Sequence, residues 1–361
     1  MKSLLVTLVL LLSVPTLACP FCAPTEADLF SELQDAQAVV LVSKVETKKY
    51  KILEVLKGQA APGKIVLAAE PRGKAVAKGG LILTTAAPAN LPYWSDAPRY
   101  LDANEVAFVR KALPVTRDSQ SAKWDFAAKF LEHSSEEVAN AAYSILAAAP
   151  LSEVQKRSKV PGHAKLISWA KSSKVPEERR ALYLLMAYPG LSKSDASWLK
   201  TALFHPQLSP MSTLVGPYTV AYLQVTGPAG VPEVQKRFLT SAAPPSKTLS
   251  VTRALALVGH RTASTPLREA VRAAFLKEVA HPARGPYAIA PLAVWKDYRA
   301  AANIEKLGAR QDTWIKVAVI RYFRTFSSPE AKAALGRLSR SDSGLVSRTT
   351  DPYKVSDLGI E

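Results

Sequence analysis

The sequence predicts an α+β protein that is predominantly α, with a small N-terminal antiparallel β-barrel followed by an α-solenoid. Three observations predict it. Between Ala36 and Ala87, short β-branched runs alternate with turn residues. From Ser121 onward, amphipathic segments of roughly 10 to 15 residues alternate with Pro, Gly or Ser breaks. Tyrosine-centred segments in that region recur about 40 residues apart. The apolar share of 48% excludes wholesale disorder, and sparse glycine with plentiful alanine and leucine favours helix over most of the length.

The chain divides into a signal at 1–18, a β-rich domain with its connector at 19–117, a helical domain at 118–340 and a tail at 341–361. Lys2 and the apolar run Leu4 to Leu12 precede the small-residue end Thr16-Leu17-Ala18, the pattern of a secretory signal. The run is shorter than the ~20 apolar residues a membrane span needs, and no later segment reaches that length. The protein is expected to be exported, to a periplasm or the extracellular space. Lipidation of Cys19 stays open as an alternative, although Thr16 and Leu17 reverse the residue preference of a lipobox.

Cys19 and Cys22 are the only cysteines, and in an oxidising compartment they are expected to form a disulfide. So small a loop removes little chain entropy and serves to pin the N-terminus to the barrel. The enzyme-class alternative is a thiol oxidoreductase, since Cys-Pro-Phe-Cys has the spacing of attacking and resolving thiols. That chemistry works best where a helix N-terminus lowers the thiol pKa, whereas this pair follows the signal. Haem attachment would need His at position 23, which is Ala. His133, His163, His205, His260 and His281 have no paired spacing, so neither a metal nor a cofactor is expected.

Gln37 to Val45, Lys49 to Leu56, Lys64 to Ala69 and Leu81 to Thr85 read as four strands separated by turn chemistry. Gly58 to Lys64 matches the Gly-x-x-x-x-Gly-Lys spacing of a phosphate loop, but Ile65 stands where a hydroxyl would hold magnesium, and no helix follows. It reads as a hairpin turn. Cysteines at the mature N-terminus, then "DAQAVVLVSKV", "YKILEVLKG" and an apolar third strand resemble the OB-type barrel of netrin-like modules, which include tissue metalloprotease inhibitors. The resemblance covers about 70 residues and implies that Cys19, through its amine and carbonyl, would chelate a protease zinc. The Cys-x-x-Cys spacing and the missing distant cysteines depart from those inhibitors.

Pro88, Pro92, Pro98 and Pro114, with Tyr93, Trp94 and Tyr100, predict an ordered wrap against the barrel. Beyond it, Ser135, Pro176, Ser192 and Ser328 mark helix starts, and acidic pairs such as Glu136-Glu137 and Glu177-Glu178 complement helix dipoles. Tyr143 and Tyr183 occupy equivalent places, and Leu249 to Val258 and Trp314 to Phe323 read as further inner helices. The region resembles degenerate HEAT-like repeats of the kind found in many exported bacterial proteins. An irregular bundle is the alternative. Trp295-Lys296-Asp297-Tyr298 and Trp314 read as packed or interfacial aromatics, and Ser341 to Glu361 as a mobile or loosely docked tail.

The net charge is +17, and Ser246 to Arg340 holds 17 Lys and Arg against 6 Asp and Glu. Arg268 with Arg272, and Arg321 with Arg324, are candidates for basic stripes that follow a polyanion. Export argues against nucleic acid, which leaves an anionic envelope polymer, lipid head groups or an acidic protein. No nucleophile elbow, zinc-protease helix or dinucleotide fingerprint occurs. The expected function is non-enzymatic, that of a binding or scaffold protein with a helical-repeat surface. The oxidoreductase and the protease-inhibitor readings are its alternatives.

Overall fold

A computed structural model describes residues 21–22, 28–72, 80–88, 90–94, 96–205, 208–209, 211–309 and 312–358. The expected signal at 1–18 and Cys19 lie outside the described residues. The fold is α+β and mainly α, with a five-stranded antiparallel sheet near the N-terminus.

The sheet contains β1 (Ala38–Glu46), β2 (Lys49–Lys57), β3 (Ile65–Leu67), β4 (Gly80–Thr85) and β5 (Arg99–Leu101), in the order β3-β2-β1-β4-β5. The first four match the expected runs. The expected barrel is corrected, because the sheet stays open with β3 and β5 at its edges. One bridge joins the segment after β3 to β5, where the Arg72 N–H donates to the Pro98 carbonyl at 2.7 Å. Two three-residue edge strands are too short to extend that bridge into a closing ladder.

Two helices missing from the sequence reading cover one sheet face: α1 (Leu29–Asp35) and α2 (Ala103–Val115). Val39 and Ile82 of the sheet pack there with Phe30, Leu33, Phe108 and Val109. The opposite face gathers Val40, Val42, Tyr50, Ile52, Leu83 and the fully buried Trp94, with Tyr100 partly buried against them; of the expected wrap, Trp94 and Tyr100 pack on the sheet, whereas Tyr93 is exposed. The Gly58 to Lys64 stretch is the turn between β2 and β3, with Gly58 and Gly63 at positive φ.

The helical part continues through α3 (Gln120–Ala127), α4 (Glu136–Ala147), α5 (Leu151–Lys156), α6 (His163–Lys171), α7 (Glu177–Ala187), α8 (Ala196–Leu203), α9 (Val215–Thr226), α10 (Gly230–Phe238), α11 (Pro245–Arg261), α12 (Thr265–Glu278), α13 (Gly285–Val294), α14 (Ala301–Leu307), α15 (Thr313–Arg324), α16 (Pro329–Ser341) and α17 (Ser343–Arg348). Ser135 and Ser328 cap α4 and α16 by accepting from the Val138 and Ala331 amides, and Ser192 caps a short 3-10 turn. Helices α4, α7, α9, α11, α13 and α15 pack each on the next, starting at residues 136, 177, 215, 245, 285 and 313. Helices α6, α8, α12 and α14 flank them. Tyr143 and Tyr183 are both fully buried, in α4 and α7. Helix α9 is apolar nearly all round and sits in the middle of the layer, which is where such a helix belongs.

The tail docks. Helix α17 and the 3-10 turn Val355–Leu358 lie against the array, and Tyr353 and Leu358 pack on its core. No helix among the described residues is long and apolar enough to cross a membrane.

Gly58 and Gly63 separate two costs in one turn. A Cβ on Gly58 would stand 2.2 Å from the Gln37 carbonyl oxygen, whereas one on Gly63 would meet nothing within 4 Å. Gly63→Ala should therefore lose about 1 kcal/mol of stability, the left-handed backbone penalty alone. Gly58→Ala should lose at least ~2 kcal/mol. Urea unfolding midpoints of the two variants check the difference.

Candidate functional site

The cysteine segment anchors elsewhere than expected. Cys22 is 8% exposed and belongs to the helical core, and the Phe21 ring packs on the same core. A Cβ on Gly216 of α9 would lie 2.2 Å from the Phe21 ring, so this glycine opens the space the ring fills. The Phe21-Cys22 segment is thus pinned to the helical layer, where an apolar ring finds a groove, and not to the sheet. Residues 23–27, between Cys22 and α1, lie outside the described set.

The four candidate arginines all have partners inside the chain. Arg268 of α12 donates to the Thr262 carbonyl at 2.5 Å, satisfying a group just past the end of α11. Arg272 pairs with Glu269 at 3.1 Å and lies 6.0 Å from the Trp295 ring centre. Helix α13 packs on both α12 and α15 and lies between the two arginine pairs. Arg321 donates to the Asp351 and Pro352 carbonyls and to the Asp357 carboxylate at 2.7 Å, and it stacks 4.2 Å from the Tyr353 ring. Arg324 donates to the Val346 carbonyl at 2.7 Å. The α15 pair therefore binds acceptors, but those acceptors are the protein's own C-terminal segment.

Further arginines are spent inside the fold. Arg179 joins Glu132 at 3.0 Å and Asn140 at 3.1 Å, and the Tyr183 hydroxyl donates to the same Glu132. Burial, helped by Glu132, pushes the Tyr183 phenol far above its ordinary range. Arg284 holds Glu278 at 2.6 Å, and Arg299 holds Asp297, whose carboxyl is kept below its usual range by that bond. Among the described residues no group of three His, Cys, Asp or Glu side chains converges as a metal site would require.

The sequence reading missed an open groove of about 660 Å³ along the edge where three successive inner helices end. Tyr188 follows α7, Gln224 and Thr226 close α9, and Arg261 closes α11. Gly227, at φ +63°, turns the chain away and leaves the edge open. Lys193 adds a second cation, and Gln155 and Gln224 add amides. The lining contains no carboxylate, imidazole or thiol, so it offers hydrogen bonds and positive charge but no acid–base pair. No local motif marks the groove, because its residues come from five separate loops and helix ends. Trp314, 6.2 Å from Tyr287, is a second exposed aromatic feature on the array.

Docking of the tail has a titration signature. Burial pushes the Tyr353 phenol up to about 12, with Arg321 opposing. A raised phenol pKa means docking is at full strength below the free value near 10 and weakens as pH rises through about 12. Arg321→Ala should release the segment and return Tyr353 to about 10. The ultraviolet titration difference between the protein and its Tyr353→Phe variant reads this; an unshifted value in Arg321→Ala would refute it.

Comparisons with protein-family models, with curated proteins and with solved structures find no match, so neither the groove nor the cysteine segment acquires a role by similarity.

Proposed function

We propose that this is an exported, non-enzymatic binding or scaffold protein whose HEAT-like helical array receives a macromolecular partner. The observation that carries the reading is the groove across the ends of α7, α9 and α11, which one layered set of helices builds as a continuous surface. Lys193 and Arg261 give it positive charge, and the Gln155 and Gln224 amides suit a peptide backbone. An extended, acidic protein segment fits that chemistry better than a rigid polymer of uniform charge, because amides pair with amides.

The burial of Cys22 in the helical core supports a structural Cys19–Cys22 disulfide, since thiol exchange needs an accessible sulfur. The pair then works as a clamp on the first residues of the mature chain.

A photo-reactive residue at Gln224 should crosslink an acidic protein from envelope extracts, whereas the same probe at the exposed Lys332 of α16 should not. With that protein purified, Lys193→Glu combined with Arg261→Glu should weaken binding by at least tenfold, about 1.4 kcal/mol, and raised salt should mimic the effect. Equal capture at both positions, or indifference to charge reversal, would remove the groove from the proposal. Insulin reduction at background rate in both the native protein and Cys19→Ser is the matching expectation for the cysteines.

A further inference from the structure

We infer that the uncovered part of the β-sheet is a docking face for an anionic lipid surface. Helices α1 and α2 cover this sheet face over Val39, Leu41 and Ile82 but leave the β2–β3 end bare. Cross-strand pairing shows what shares that bare end. Lys49, Leu67 and Tyr93 form one row, and Lys51 and Ile65 form the next. Leu53, the extra residue where β2 bulges against β1, extends the same edge. The apolar members are far from buried: Leu53 is 57% exposed, Ile65 44%, Leu67 39% and Tyr93 58%.

An exposed sheet face ordinarily alternates to polar residues, so three aliphatic side chains and a tyrosine here call for an occupant. The interleaved lysines identify it. Cores of protein–protein interfaces are depleted in lysine, whereas a membrane interface favours it, because the alkyl stem lies along the acyl boundary and the ammonium reaches the phosphates. Tyrosine sits at the same depth for the same reason. The neighbouring carboxylates neutralise Lys49 but not Lys51, which carries the positive charge of the face. Glu46 is paired with Lys49, Glu54 with Arg110 and Glu70 with Lys44, while Lys51 has no partner among the described residues. The free edge of β3 is already satisfied, since Leu67 exchanges backbone bonds with Pro92 and Trp94, so the face and not the edge is what remains to be used. Contact with lipid here is peripheral and independent of the helical groove.

The test is co-sedimentation of the full mature chain with phosphatidylcholine vesicles containing about a third phosphatidylglycerol, beside phosphatidylcholine alone. Binding is expected to the anionic vesicles only. Because the targeted side chains are exposed, the combined variant Leu53→Ser, Ile65→Ser and Leu67→Ser should keep the native circular dichroism melt and lose at least tenfold in vesicle affinity. Lys51→Glu alone should lose several-fold. Lys306→Glu with Lys332→Glu, exposed on the helical array, should change affinity less than twofold, which separates this face from the general attraction of a basic protein. Equal binding to neutral vesicles, undiminished binding by the serine variant, or an array variant that fails as badly would overturn the inference. So would a concentration-dependent dimer that the serine variant abolishes, which would assign the face to a second copy of the chain.

Discussion

Helix α4 is buried on two sides, and the arrangement of the whole chain depends on that double burial. Val138 and Ala141 close the core beneath the sheet with α1 and α2, while Ala142, Tyr143, Leu146 and Ala147 open the core of the helical layer. Phe130 and Ile145 touch both. The hydrophobic gain from each side falls on one helix, so the sheet and the helical layer pack on a shared element. Polar contacts fix the same joint. Arg99 of β5 binds Glu32 of α1 at 2.7 Å and also Glu137 of α4, and the Ser135 hydroxyl that caps α4 donates to Glu105 of α2. Glu32 also accepts from Thr84 of β4, so one carboxylate ties a helix, two strands and, through Arg99, the array.

The strong positive charge means something different inside this fold than it does along the chain. Arginine supplies five donors in a planar fork, so it can close helix ends and satisfy buried carboxylates where lysine would leave groups unpaired. Arg268 holds the Thr262 carbonyl at the end of α11, Arg321 and Arg324 hold carbonyls of the C-terminal segment, and Arg179 and Arg284 hold glutamates. Lysines such as Lys51 and Lys193 stay exposed. Arginine largely serves the architecture, and the exposed lysines carry charge at the surface.

Much of the fold was legible because it rests on local periodicity. The runs at β1, β2 and β4 are short and rich in β-branched and apolar residues in the sequence and form strands in the sheet, and Ser135 and Ser328 begin the helices their side chains announce. Helix α2 was legible in principle: Asp102 and Glu105 form a capping box ahead of Val106, Val109 and Leu113. Pro98 before it and Pro114 in its last turn drew the reading towards an irregular connector instead. Helix α1 and strand β5 are too short for periodicity to separate from loop. The cysteine anchor was misplaced because the space for Phe21 is made by Gly216, nearly two hundred residues away in the sequence.

What the sequence determined by itself is the class: an N-terminal sheet of short strands, a long helical remainder with its caps, and a strongly basic chain bearing two clustered cysteines. These follow from neighbour-to-neighbour propensities and from composition, which need no distant contact. Only the tertiary structure decided whether the sheet closes, which cations remain available, and where the open surfaces lie. Each of those depends on pairs remote in sequence: Arg72 with Arg99, Arg321 with Asp357, and the ends of α7, α9 and α11 along one groove. The same holds for Cys22. Its spacing from Cys19 suggested chemistry, and its burial against the helical layer is what gives it the character of an anchor.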